Sequence, residues 1–157
     1  MNAPKTETRS PSWQEIHQAA QDLAQAIRGD GPWHMIVAIT RGGMVPAAIL
    51  AAELDIRRIE TIAIASYDGQ RQETPRVLKA CESSGDGCLV VDDIVDTGKT
   101  AEIVRALLPE ACFVTIYAKP DGAPFIDHCA EKVPQNVWIA FPWENPGSPI
   151  MGSPASD

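Results

Sequence analysis

No apolar run in the 157 residues approaches the length of a membrane-spanning helix, so an integral membrane protein is excluded. The first eleven residues are polar and lack the apolar core of a secretory signal, so secretion is not expected. Cations are in short supply. Lys and Arg number 13 against 21 Asp and Glu, a net charge of -8, which argues against nucleic-acid binding through bulk electrostatics. Cysteine is sparse, and Cys81, Cys88, Cys112 and Cys129 form no CxxC pair, so a zinc knuckle or a dithiol redox motif is not supported. Cys88 and Cys112 lie in apolar runs and read as small buried hydrophobes, reduced in a cytosolic protein. His17, His34 and His128 have no metal-ligand spacing. There is no internal repeat and no low-complexity tract. What remains is a chain with 45% apolar residues, enough for one domain with a proper core.

Residues 1–11 read as a loose, disordered tail. Ser12 and Glu15 then fit a capping box, and Ile16, Ala20, Leu23 and Ile27 follow at helical spacing up to Gly29. Met35 to Ile39 is a continuous apolar run of the kind found in parallel strands buried on both faces. Arg41-Gly42-Gly43 breaks it, and Pro46 suits the first turn of a helix reaching Leu54. Ile59 to Ala65 reads as a second strand. Residues 66–76 are polar and contain Gly69 and Pro75, which predicts a long exposed loop acting as a lid. Val77-Leu78 begins a returning strand. Cys88 to Val91 is another buried strand, a helix with Ile103, Val104, Leu107 and Leu108 follows, and Phe113 to Ala118 is the next strand. Beyond Lys119 repeated prolines preclude long elements, one short strand falls near 137–140, and 144–157 form an irregular tail. The alternation of strands and helices predicts an α/β fold with a mostly parallel sheet flanked by helices, whose ligands sit beyond the carboxyl ends of the strands.

The chemistry concentrates in residues 92–100. Asp92, Asp93 and Asp96 come directly after an apolar strand. In a continuing strand one of the adjacent pair would enter the core, and burying an unpaired carboxylate is costly. The strand is therefore expected to end at Val91, with both side chains released into the crevice. Thr97-Gly98-Lys99-Thr100 then offers backbone amides, hydroxyls and an ammonium at a helix N-terminus, which is a phosphate cradle. Carboxylates beside such a cradle suit a ligand that also presents vicinal hydroxyls or a Mg²⁺ ion. A Walker A loop is excluded, because position 93, where its first glycine belongs, is Asp93. A calcium loop fails on the spacing of the three aspartates.

The run from Cys88 through Asp92-Asp93-Ile94-Val95-Asp96-Thr97-Gly98-Lys99-Thr100 resembles the signature of the type I phosphoribosyltransferases. Thr40 to Pro46, Ser66-Tyr67-Asp68, Val77-Leu78-Lys79, Ile116 to Pro120 and Pro134 to Ile139 add a resemblance to the bacterial xanthine-guanine branch of that family, in unbroken order over about residues 13–143. The resemblance implies a phosphoribosyltransferase domain over 12–143, with a lid at about 66–76 and a base-binding hood at about 120–143. It implies purine salvage: transfer of the phosphoribosyl group from phosphoribosyl pyrophosphate to a 6-oxopurine with Mg²⁺ as cofactor. By the same resemblance Asp92 and Asp93 hold the ribose hydroxyls, and Asp93 lies at the metal. Asp96 faces purine N7 as catalytic acid/base, and Asp96, Thr97, Gly98, Lys99 and Thr100 cradle the 5′-phosphate. Arg41 and Gly42 form the pyrophosphate loop, which in this family often holds a non-proline cis peptide, and Arg76 contacts the donor from the lid. Lys119 reaches the 6-oxygen, Trp138 stacks on the base, and the backbone of Ile139 reads the 2-substituent. Two departures stand out. Lys99 replaces a glycine common in this loop but shared with hypoxanthine-guanine relatives, and Glu73 stands where close relatives carry a basic residue, leaving Arg71 or Arg76 as substitutes. The resemblance further implies a homo-oligomer, a tetramer, in the cytoplasm. Close relatives associate peripherally with the inner membrane face, although no amphipathic or basic anchor is visible here. The alternative is a regulatory module on the same fold that senses phosphoribosyl pyrophosphate without turnover. The joint presence of Asp96, Lys119 and Trp138 argues for the enzyme.

Overall fold

The apolar runs become the centre of a six-stranded sheet in a computed structural model that describes residues 6–65, 68–69, 71–72 and 75–144, the two short pairs by backbone alone. In chain order the elements are β1 (Glu7–Arg9), α1 (Trp13–Ile27), β2 (Met35–Thr40), α2 (Met44–Leu54), β3 (Ile59–Ala65), β4 (Asp68–Gly69), β5 (Arg71–Gln72), β6 (Arg76–Lys79), β7 (Cys88–Val95), α3 (Lys99–Leu107), β8 (Cys112–Ala118), β9 (His128–Lys132) and β10 (Val137–Ile139). The main sheet has the order β6-β3-β2-β7-β8-β9. Every neighbouring pair is parallel except β3 with the edge strand β6.

The period-2 alternation of a strand explains why these runs are apolar throughout. Ile36 and Ala38 of β2, Leu89 and Val91 of β7 and Val114 and Ile116 of β8 point to one face, where they meet Ile16, Ala20, Leu23 and Ile27 of α1 and Leu50 of α2. Met35, Val37, Cys88, Val90 and Phe113 point to the other, against Val104 of α3 and the following Leu108. The sheet thus separates two apolar cores. The α1 capping box forms as expected: Glu15 N–H donates to Ser12 Oγ at 3.1 Å, and Ser12 N–H donates to Glu15 Oε2 at 2.7 Å.

Three features differ from the sequence expectation. Within 1–11, Glu7–Arg9 form a strand that pairs in parallel with β10, with Thr8 opposite Trp138. Residues 128–132 form β9, a strand edging β8, although His128, Glu131 and Lys132 are polar. An edge strand needs only one apolar face, so alternation was weak and the signal was lost.

The third difference bears on chemistry. β7 does not end at Val91 but runs on through Asp92 and Asp93 to Val95. Its pairing with β2 stops at Ala38–Val91, while pairing with β8 continues at Asp92–Thr115, Ile94–Tyr117 and Val95–Ala118. Because β2 departs, extending the strand does not force a carboxylate into a closed core. Both aspartates stay half-buried. The lid region 66–76 is described only in part, by the short β4–β5 pairing and by Pro75 and Arg76. Glu73 and the tail beyond residue 144 lie outside the described residues. Among the described residues, no helix is long and apolar enough to cross a membrane.

Candidate functional site

The site assembles where β2 and β7 part company, beyond the carboxyl ends of β2, β7 and β8, the position favoured for ligands in open α/β sheets. β2 delivers residues 41–43. The Thr40–Arg41 peptide is cis, as the resemblance implies. Arg41 is exposed, and Gly42 packs onto Asp93. Gly43 begins α2 without a side-chain cap; its own N–H donates to the Ile39 carbonyl at 2.8 Å and the Met44 N–H to the Arg41 carbonyl at 3.1 Å.

β7 delivers the acids. The Asp93 N–H donates to Asp92 Oδ1 at 2.9 Å, and the Ile94 N–H donates to Asp93 Oδ1 at 2.7 Å. Burial raises the Asp92 pKa well above the ordinary carboxylate range, and the neighbouring Asp93 charge adds to the effect. Burial also pushes Asp93 up to about 6, although hydrogen bonds from Asp92 and the Ile94 N–H pull the other way and Glu144 adds a little repulsion. Two carboxylates crowded in this manner favour a cation beside them. Asp92, Asp96 to Thr100, Ala101 and Phe113 line a cleft of about 120 Å³. The strand hands over to α3 through Gly98, at φ 88°, which lies against the ring of Phe125. Gly98 gives α3 no side-chain cap, and Thr97 Oγ1 accepts the Lys99 N–H at 3.5 Å. Among the described residues, α1 carries a side-chain cap at its N-terminus, whereas the N-cap glycines of α2 and α3 provide none.

β8 delivers Lys119, whose side chain is 6% exposed. Its Nζ donates to Asp96 Oδ2 at 2.9 Å. The second oxygen of Asp96 accepts from Gln135 Nε2 at 2.7 Å. Gln135 Oε1 in turn accepts the Asp121 N–H at 3.1 Å. The carboxylate is therefore met by a donor on each oxygen.

Most of the residues singled out in the sequence thus converge: Gly42 against Asp93, Asp92 and Asp96 to Thr100 around one cleft, and Lys119 on Asp96. Two groups stand apart. Trp138, half-exposed, and Ile139, buried, sit on β10, linked to Asp96 through Gln135 three residues before the tryptophan. Arg76 is exposed on β6, with β3 and β2 between it and β7. Gln135 and Phe125 went unnoticed in the sequence. A single glutamine in Pro-Gln-Asn and a single phenylalanine before a strand carry no motif, and only the fold shows what they touch.

Mg²⁺ fits this donor set. It takes one or two hard carboxylates and completes its shell with substrate oxygens and water. Among the described residues no three His, Cys, Asp or Glu side chains converge on one point, so an all-protein metal cage is not what this site offers.

Comparison with known proteins agrees on the class. Residues 12–146 match the phosphoribosyl transferase domain family. The chain is 48% identical over 141 residues to a xanthine-guanine phosphoribosyltransferase of Cereibacter sphaeroides, covering 85% of this chain and 84% of the relative. It is 49% identical over 135 residues to the protein of that name from Nitratidesulfovibrio vulgaris, covering 85% and 83%. Among solved structures, a purine phosphoribosyltransferase of Pyrococcus horikoshii superposes with a TM-score of 0.77 at 27% identity, covering 93% of this chain and 99% of that one.

Proposed function

The chain belongs to the phosphoribosyl transferase domain family, and from that premise we propose that it is a purine-salvage enzyme joining a 6-oxopurine, xanthine, guanine or hypoxanthine, to the ribose of phosphoribosyl pyrophosphate. The products are the nucleoside 5′-monophosphate and pyrophosphate. The observation that carries the reading is the Asp96 carboxylate, held at the mouth of an uncapped helix N-terminus and paired with a nearly buried lysine. One end of that arrangement suits a phosphate, and the other suits a base with a carbonyl oxygen and a protonatable nitrogen.

The reaction breaks the bond from C1 of the ribose to pyrophosphate and makes one to the purine nitrogen, with positive charge developing on the sugar. The 5′-phosphate rests on the amides of Thr97, Gly98, Lys99 and Thr100 at the start of α3, with the Lys99 ammonium adding charge. Asp92 and Asp93 accept the ribose hydroxyls. Arg41 and the amide of Gly42 neutralise the leaving pyrophosphate, and Arg76 approaches it when the segment 66–76 closes. Mg²⁺, held through Asp93, supplies charge neutralisation at the donor oxygens when bound. Lys119 donates to the 6-oxygen, Asp96 exchanges the proton at N7, Trp138 covers the face of the base, and the Ile139 backbone meets the 2-substituent. The buried side chain of Ile139 suits a residue that offers only its main chain. We place the enzyme in the cytoplasm as a homo-oligomer, a tetramer in the manner of its branch, with no nucleic-acid partner and at most a peripheral contact with the inner membrane face.

The test is a steady-state assay of purified protein with Mg²⁺ and phosphoribosyl pyrophosphate, mixed separately with xanthine, guanine, hypoxanthine, adenine and orotate. Turnover confined to the 6-oxopurines is the expected result, and the ratios of kcat/KM rank them. Turnover with adenine or orotate alone overturns the base assignment. Saturable donor binding with no turnover on any base would support the sensing alternative instead.

A further inference from the structure

We propose that Gln135 is the positioning residue for Asp96, holding Oδ1 of the carboxylate so that Oδ2 meets the base when Lys119 turns to the purine. This rests on the reading of Asp96 as acid/base given above.

The starting point is an exchange that the geometry requires. Lys119 is nearly buried, and an ammonium in that setting needs an acceptor. With no base bound, it donates to Asp96 Oδ2 at 2.9 Å. An ammonium has three N–H groups, so an arriving 6-oxygen draws one of them away from the carboxylate or shares the lysine with it. Either event loosens Oδ2. A carboxylate tethered by one oxygen alone swings freely, because the terminal torsion of aspartate is broad. The bond from Gln135 Nε2 to Oδ1, at 2.7 Å, is independent of the lysine.

The orientation of that amide is settled by its other end. Its neighbour there is the Asp121 N–H, a donor, which only the carbonyl oxygen of the glutamine can accept, at 3.1 Å. The NH₂ end must therefore face Asp96, and it faces as a donor. Asp121 belongs to the turn that follows Lys119, in which the N–H groups of Gly122 and Ala123 donate to the Lys119 carbonyl. Gln135 also lies three residues before Trp138. One side chain thus links the acid/base, the turn carrying the 6-oxygen donor and the strand bearing the stacking ring.

Two substitutions separate positioning of Asp96 from simple bracing of the turn. Gln135→Met keeps the length and removes both hydrogen bonds. Gln135→Glu keeps the acceptor for Asp121 but presents an acceptor instead of a donor to Asp96. If Gln135 positions Asp96, kcat at saturating donor falls by about tenfold in Gln135→Met, less than the ~10²-fold expected from losing an acid/base outright. It falls further in Gln135→Glu, while the KM for phosphoribosyl pyrophosphate stays within about twofold in both. Wild-type kcat in Gln135→Glu alongside an impaired Gln135→Met overturns the proposal in favour of loop bracing, and wild-type kcat in both also overturns it. If Gln135→Met does not fold, as judged by circular dichroism and thermal melting, Gln135→Glu, which retains the brace, decides alone. A wild-type chain that turns over no purine removes the reading beneath the proposal, and the proposal with it. That outcome is distinct, because it appears before any variant is made.

Discussion

Gly42 lies directly against the carboxylate of Asp93: a Cβ on Gly42 would fall 2.2 Å from Oδ2 and 2.5 Å from the carboxyl carbon. The loop from β2 and the acids of β7 are thus fitted to each other at the point where their strands stop pairing. Gly42→Ala forces the half-buried carboxylate aside while leaving the two cores untouched. The expected outcome is a loss of kcat/KM for phosphoribosyl pyrophosphate on the order of 10²-fold with a melting temperature within a few degrees of wild type. Steady-state kinetics and a thermal melt check both halves, and a parallel collapse of stability would show that the contact is structural instead.

Gly98 carries two separate constraints. Its φ of 88° lies in the left-handed region, and a Cβ there would come within 2.2 Å of the Phe125 ring. Gly98→Ala is expected to cost about 1–3 kcal/mol in urea unfolding. The cost shrinks in a Phe125→Ala background, because the ring clash is gone and the backbone term remains. An equal cost in both backgrounds would mean that the ring gives way freely.

Asp96→Asn preserves shape and removes the charge paired with Lys119. Turnover should fall by about 10²-fold or more if Asp96 is the acid/base. A rate near wild type would take that role away from it.

Trp138→Ala removes the ring assigned to the face of the purine. Stacking on a base is worth roughly 1–3 kcal/mol, so the purine KM should rise by roughly tenfold with the donor KM little changed. An unaffected purine KM would make Trp138 a packing residue.

Burial pushes the Cys112 thiol up to about 12, and the Asp127 carboxylate acts in the same sense while Arg105 opposes it. Between the ordinary thiol value and about 12, the folded chain keeps a proton that the unfolded chain has released. The contribution to stability is therefore complete below the ordinary thiol value and is lost as pH rises toward 12. At pH 8 the native protein should leave Cys112 unmodified by iodoacetamide while the urea-unfolded chain is labelled, read by peptide mass spectrometry. Rapid native labelling would contradict this.

What the sequence made legible follows from where its signals are strong. The runs at 35–39 and 88–91 are apolar on both faces, and the strands they predict form the middle of the sheet. The aspartate loop was legible because its carboxylates, glycine and hydroxyls are locally improbable together. The end of β7 was misjudged because the argument about burying Asp92 and Asp93 presumed a neighbour on both sides, and the departure of β2 is a long-range fact. β9 stayed hidden because its edge position tolerates polar residues. Gln135 stayed hidden because its partners lie at positions 96 and 121, and no local pattern encodes a contact across 39 residues.

The pairing of β1 with β10 has a kinetic side. Three residues near the start of the described chain hold three residues near its end, Thr8 opposite Trp138, and among the described residues neither strand has another partner in a sheet. Closing so long a loop for so short a ladder is entropically costly, so this ladder is expected to form late and open early. The strand bearing the proposed purine platform is thus expected to open before the six-stranded sheet does. If Trp138 carries the base as proposed, base recognition is gained or lost in excursions that leave the proposed phosphate cradle at 97–100 intact.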